Sequence, residues 1–323
     1  MNRPATSHAT TVLYSVSENG EPDDRVEPSS RDPLPETSAA PVASTGSLRR
    51  FVRRFSLLGL IGFVIVVFWL AVAFIGPLVA PYNGGALTST EIFGHCSAAY
   101  PLGTDFLGRD MLSRILYGTR YTVGLALAAA VLASSIGTFF GLLAAVSARW
   151  VDEVLSRLFD ALISIPSKVL ALVVIAAFGS SITMLTLVAA LAYIPGAFRI
   201  SRSLAVNLMA LEYVQVAKAR GEGLFYIARV EVLPNMIHPM LADFGLRFVF
   251  IVLLLSGLSF LGLGVQPPDA DWGSLVRENI GGLAEGAPAV LMPAVAIATL
   301  TVGVNLLIDS VRRHSGRGQG AGK

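Results

Sequence analysis

The sequence predicts an all-α membrane protein with six transmembrane helices and both termini in the cytoplasm. Composition is the first reason: of 323 residues, 54% are hydrophobic and 14% charged, with a mean hydropathy of +0.66. A soluble domain carries about 25% charged residues, so there is too little charge here to cover a soluble surface. The second reason is a series of apolar stretches of membrane-spanning length, and the third is the lopsided placement of basic residues around them. A single cysteine excludes a disulfide-stapled scaffold. No basic stripe interleaved with aromatics occurs, which sets nucleic acid aside as a partner.

Residues 1–48 are rich in Pro, Ser, Thr and Ala and hold seven carboxylates against Arg3, Arg25 and Arg31. Such a segment buries too little apolar surface to offset its ordering entropy and reads as a disordered cytoplasmic tail. It lacks the basic start and apolar core of a signal peptide. Arg49, Arg50, Arg53 and Arg54 then precede Leu57–Ala80, an almost unbroken apolar run long enough to cross about 30 Å of hydrocarbon. Five further stretches follow at Val123–Ala148, Ala161–Gly179, Ile182–Phe198, Leu246–Val265 and Ala287–Ile308. The run Ala161–Gly179 is the weakest span, because Pro166 and Lys168 lie inside its cytoplasmic end. The membrane domain so defined covers residues 49–312, and residues 313–323 form a short cytoplasmic tail.

Six spans put both termini on one side, and the charges say which. In this orientation 20 of the 24 basic residues face the cytoplasm, and only Arg109, Arg114, Arg120 and Arg277 lie outside. The positive-inside rule disfavours the inverse. Lys168, Asp243 and Arg247 are the ionisable residues at membrane depth, all placed near cytoplasmic ends, so a row of acids for proton relay is missing. Small residues at helix-packing spacing (Ala126, Ala130 and Ser134; Gly137 and Gly141) serve either bundle packing or a subunit interface. His95 beside Cys96 lacks the ligand number of a metal site.

Between the fourth and fifth spans lies a long cytoplasmic loop, residues 199–239. Residues 208–220 are helix formers with Leu211, Val214 and Ala217 or Lys218 on one stripe. Gly221 is a left-handed stop, and Leu224–Val232 forms a second short helix ended by Pro234. The expected unit is helix, tight glycine turn, helix, held at the membrane surface.

This loop resembles the signature of ABC importer permeases: Glu-Ala-Ala, three residues, Gly, nine residues, an apolar position, a free one and Leu-Pro. The matching positions are Gln215-Val216-Ala217, Gly221 and Leu233-Pro234, with Gln215 where glutamate is usual, Val216 for an alanine and Glu231 at the apolar position. Two further blocks resemble the dipeptide and oligopeptide permeases. One runs from Pro101-Leu102-Gly103-Thr104-Asp105 through Arg109-Asp110 to Tyr117-Gly118-Thr119-Arg120; the other is Gly257 to Pro268 followed by Asp271-Trp272-Gly273. Asp160 and Ile165-Pro166 match as well, and Leu255 stands where relatives commonly have glutamate. The resemblance covers residues 50–312.

It implies a type I ABC importer permease fold in a bacterial-type plasma membrane. In such proteins the loop contacts a cytoplasmic ATPase, which assigns ATPase coupling to Glu212, Gln215, Val216, Ala217, Gly221, Leu224, Leu233 and Pro234. The implied partners are a second homologous permease subunit, two cytoplasmic ATPase domains and an extracytoplasmic peptide-binding protein. No cofactor is expected in this chain; ATP and Mg belong to the ATPase subunits. The chain has no glycine-rich phosphate loop ending in Lys-Ser or Lys-Thr and is not expected to hydrolyse ATP itself. On the outer side, Asp105, Arg109 and Asp110, with Arg114 and Arg120, either brace the start of span two or join Gln266, Asp271 and Trp272 in docking the binding protein. The expected cargo is di- or oligopeptide, against nickel or another small solute of the same family. A self-contained carrier or channel is the rival from another class.

Overall fold

A computed structural model describes residues 57–318, with side chains placed as far as Arg312. The expected tail at residues 1–48 and the arginines at 49–54 lie outside the described residues. The described chain is all-helical apart from one isolated bridge between Thr104 and Asp110. Its helices are α1 (Leu57–Val79), α2 (Met111–Val146), α3 (Arg149–Ile163), α4 (Ser167–Phe178), α5 (Ile182–Met209), α6 (Glu212–Ala219), α7 (Leu233–Phe260), α8 (Trp272–Asn279) and α9 (Pro288–Gly318). Among the described residues, five helices are long and apolar enough to cross a membrane, and α3 with α4 makes a sixth crossing only as a bent pair.

The first span matches its expected bounds, because nothing but apolar sequence defines it. The others differ for local reasons. α2 starts at Met111, a dozen residues before the expected Val123, because Asp110 caps it: its Oδ2 accepts the Ser113 N–H at 2.8 Å and the Ser113 hydroxyl at 2.6 Å. The expected span Ala161–Gly179, the weakest of the six, takes in the end of one helix and the whole of a second that meets it at 80°. Pro166 has no N–H to continue the ladder and restricts Ile165 before it, so the chain turns there. α5 runs past Phe198 to Met209, with Pro195 tolerated inside it.

The last two spans shift as well. α7 runs Leu233–Phe260 in place of Leu246–Val265, so Asp243 and Arg247 sit near the middle of the helix rather than at its cytoplasmic end. They pair with each other at 2.5 Å, and Arg247 Nη1 donates to the Tyr193 carbonyl at 2.7 Å. α9 continues through the expected boundary at residue 312 to Gly318.

The core lies where α2 packs on α5, and it uses small residues. Ala126, Ala130 and Ala133 are fully buried. A Cβ on Gly137 would lie 2.3 Å from that of Ala197, and one on Gly141 would lie 2.6 Å from that of Ser201. The small-residue stripe is therefore intramolecular packing of the kind that lets helix backbones approach in lipid. Around it, α1 lies on α9 and α2 with most of its apolar surface exposed.

Candidate functional site

The segment around Gly221 is held at one end of the bundle. α5 ends at Met209, Leu211 takes an extended conformation, and α6 begins at Glu212, four residues later than the expected start at 208. Leu211 is therefore exposed, not part of the stripe, and the helix turns inward only Val214 and Ala217. These two join Ala205, Ile227, Val232 and Met236 in a small apolar core of their own. Glu212 stands in the first turn and Lys218 in the last, each favourable to the helix dipole.

α6 closes on a Schellman motif. The Gly221 N–H bonds the Lys218 carbonyl at 2.9 Å, and the Glu222 N–H bonds the Ala217 carbonyl at 3.2 Å. Gly221 has φ +82°, which only glycine adopts without strain, and beyond its two chain neighbours no described atom lies within 4 Å of where its Cβ would be. Its requirement is thus conformational rather than steric.

The second helix differs from expectation. Leu224–Tyr226 is a single turn that passes into a π-helical turn, Ile227–Val232, and then directly into α7. Pro234 does not end it. It lies near the start of α7 in a helix that is continuous from Leu224, and its missing N–H interrupts the ladder next to the π-helical turn. Leu233 beside it is partly buried and Pro234 is exposed.

Two side chains fasten α6 to its neighbours. Gln215, at the position where glutamate is usual, donates Nε2–H to the Met209 carbonyl at 2.7 Å, satisfying an orphan acceptor at the end of α5. A carboxylate has no proton to give that carbonyl at neutral pH. Asn235 donates Nδ2–H to the Glu231 carbonyl at 2.7 Å and to the Tyr213 hydroxyl at 3.2 Å, which ties α6 to the start of α7. Val216 (57% exposed), Leu224 (54%) and Phe225 (76%) are left uncovered by the described residues.

The opposite end of the bundle carries the residues expected to brace or to dock. Asp105 is fully buried. Its Oδ1 accepts the N–H groups of Leu107 (2.9 Å) and Arg109 (2.8 Å), and its Oδ2 accepts from Arg109 Nε (2.6 Å) and Arg114 Nη1 (2.8 Å). Glu278, unremarked in the sequence, completes the cluster by accepting from Arg114 at 2.6 Å and Arg109 at 3.3 Å. Asn279 adds its Oδ1 as acceptor for the Phe106 N–H at 3.0 Å. No local pattern announces either residue, since they lie more than 160 positions from their partners.

Asp271 caps α8 through a reciprocal capping box with Ser274 and accepts from the Ser259 hydroxyl. Burial pushes its carboxyl above the usual carboxylate range, against the pull of the Ser259, Ser274, Val265 and Gly273 hydrogen bonds. Trp272 is buried too: its backbone N–H bonds Thr122 Oγ1 at 3.0 Å, its indole N–H bonds the Ile115 carbonyl at 3.2 Å, and its ring meets Trp69 edge-on at 4.7 Å. Asp105, Asp110, Asp271 and Trp272 are thus turned into the fold and are not surface contact residues in this conformation. Of the expected docking set, Gln266 is exposed, with its amide donating to the Gly264 carbonyl at 2.8 Å, and Arg109 is partly buried.

Residues 137–318 match the family described as binding-protein-dependent transport system inner membrane component. Among curated proteins, the chain is 32% identical over 279 residues to a putative peptide transport system permease protein of Brucella suis biovar 1, covering 86% of this chain and 93% of the relative. It is 30% identical to the dipeptide transport system permease protein DppC of Alkalihalophilus pseudofirmus, over 79% of this chain and 84% of the relative. It is 31% identical to the glutathione transport system permease protein GsiD of Pectobacterium atrosepticum, over 82% and 87% respectively. With its apolar helices and this match across most of its length, the chain belongs to the family of inner-membrane permease components of binding-protein-dependent transport systems.

Proposed function

We propose that this chain is one transmembrane subunit of an ATP-driven importer that takes up di- and oligopeptides delivered by a substrate-binding protein. The observation that carries the reading is the segment at Gly221. It is a short helix fastened to α5 by Gln215 and to α7 by Asn235, and it leaves Val216, Leu224 and Phe225 uncovered. An apolar surface presented on a rigid turn suits a groove in a partner protein, and the two fastenings carry its displacement into two membrane helices. The 20-of-24 basic asymmetry supports a cytoplasmic position for it.

In this reading a second homologous permease subunit pairs with the chain, and two ATPase domains holding ATP and Mg dock below. ATP binding closes the ATPases, pushes the Gly221 segment and opens the permease outward; hydrolysis resets it inward. The bias comes from the ATPases' different affinities for ATP in the two states. This chain contributes no hydrolysis. Its opposite face, where Gln266 is exposed, receives the binding protein, which selects the peptide.

Reconstitution of the four components tests the reading. Peptide uptake should require ATP and binding protein, and ATP-independent flux through this chain would sink it. Gly221→Trp should cut uptake by about tenfold while hydrolysis continues, because a bulky L-residue at positive φ costs about 1–2 kcal/mol of backbone strain and displaces the turn. Unchanged uptake would remove the coupling role. The ligand that copurifies with the binding protein identifies the peptide class.

A further inference from the structure

The bent pair α3–α4 carries an apolar surface that the bundle does not cover. Trp150, Val154 and Leu158 on α3 are 68%, 57% and 55% exposed, and their spacing puts them on one stripe. The stripe continues through Ala161 to Ile165 at the bend and on to Val169 and Val173 of α4. The neighbouring face of α3 is buried: Phe159 packs on Phe198 with ring centroids 4.4 Å apart, and Leu155 and Leu162 join the core. The remaining arc is polar, with Arg149, Asp152, Glu153, Ser156, Arg157 and Asp160.

Two ion pairs fix how α3 lies. Asp152 binds Arg202 and Asp160 binds Arg199 of α5. Eight residues along α3, about 12 Å, therefore correspond to three residues along α5, about 4.5 Å. α3 runs across α5 rather than beside it. The contact is 17–20 residues from the start of α5 at Ile182, about 26–30 Å along that helix, which is one hydrocarbon thickness. α4, with 12 residues, climbs only about 18 Å.

We propose that α3 lies in the plane of the membrane at the leaflet on the Gly221 side, with its Trp150–Val154–Leu158 stripe in the acyl boundary and anionic phospholipid headgroups bound by Arg157 and Lys168. Both cations are exposed, and neither has a carboxylate partner among the described residues, whereas Arg149 is paired with Glu153. Arg157 borders the stripe, and Lys168 opens α4 just beyond the bend. An exposed apolar stripe, a flanking tryptophan and unpaired cations at headgroup depth are the physical requirements of an interfacial helix. Because Arg199 and Arg202 belong to the helix that ends at the Gly221 segment, this headgroup site is joined to that segment through α5.

The experiment uses the full chain with Cys96→Ser, reconstituted in vesicles of phosphatidylcholine with or without 30 mol% phosphatidylglycerol, a fraction that makes the surface about as anionic as a natural inner leaflet. Val154→Cys, Leu158→Cys and Glu153→Cys variants carry spin labels whose accessibility to oxygen and to a nickel chelate gives depth. Labels at 154 and 158 should be oxygen-accessible, shielded from nickel and at one depth; the label at 153 should be aqueous. A depth difference of about 6 Å between 154 and 158, the rise of four helical residues, would mean that α3 crosses the membrane and would overturn the proposal. So would nickel accessibility at 154, or loss of access to both reagents on adding a second permease subunit. For the headgroups, Arg157→Gln with Lys168→Gln should lower the protein's preference for phosphatidylglycerol by about fivefold per cation at low salt. An unchanged preference in a variant of unchanged helix content would overturn the headgroup assignment.

Discussion

At the Asp105 end of the bundle, charged residues are buried or half-buried and answer one another: two arginines close on two carboxylates, Asn279 holds the Phe106 N–H beside them, and Trp272 is buried. At the Gly221 end the reverse holds, with only Val214 and Ala217 of α6 turned inward and large apolar side chains left facing out. Both ends carry the family's sequence blocks. The difference teaches that such a block marks two unlike things, a self-sufficient piece of architecture at one end and, on the function proposed above, a partner-facing surface at the other. Substitutions should therefore separate cleanly into those that unfold the chain and those that leave it folded but idle.

The largest effect is expected at Asp105. Removing one member of a buried charge network leaves its partners uncompensated, typically at about 3–5 kcal/mol. Glu278 still answers Arg114, so Asp105→Ala should fall near about 3 kcal/mol. Thermal unfolding of the detergent-solubilised chain would show it as a lower Tm. An unchanged Tm would mean that the outer charges are not architectural after all. Gly273→Ala comes next, because its Cβ would sit 2.4 Å from the Ser256 carbonyl oxygen, a backbone atom that cannot step aside. Overpacking of this kind costs about 1–3 kcal/mol, and the same Tm measurement checks it.

At the other end the effects on stability should shrink. Gln215→Glu replaces the donor to Met209 by an acceptor, so two oxygens meet across 2.7 Å unless the loop gives way. The group is exposed, which limits the loss to about 1 kcal/mol. Its signature should be faster amide hydrogen exchange confined to residues 207–219, with Gln215→Ala showing a smaller version. Equal exchange in Gln215→Glu and the parent would show that the bond does not hold α6 in place.

How far the sequence could carry the reader follows the same division. Gly221 was legible because a left-handed helix stop has one chemical solution, and the first span because about 20 apolar residues admit one reading. Pro234 does not stop the helix as its chemistry suggests, because a π-helical turn beside it carries the chain through into α7, and such a turn has no signature in residue type. The 80° turn at Pro166 escaped because an apolar count measures length and not direction. Glu278 and Asn279 were invisible because their roles are set by residues brought near only when α8 folds against the segment before α2. Long-range partnership is what sequence periodicity does not encode.

The sharpest test of the comparison is also the one with the smallest effect on the fold. Phe225 is 76% exposed beside the Gly221 turn. With most of its ring open to solvent, Phe225→Ser should change stability by less than about 0.5 kcal/mol, the ordinary range for a surface site. An aromatic ring left bare on a short rigid turn, however, is the kind of side chain that dominates a protein interface, where truncation costs about 2 kcal/mol or more. The variant should therefore keep its Tm and lose about thirtyfold in affinity for the ATPase subunits, the equivalent of that energy, measured by titrating them onto the reconstituted permease. A variant that loses stability and keeps its affinity would place Phe225 with Asp105 among the residues a chain needs for itself, and the contrast between the two ends would fail at the residue where it is most exposed.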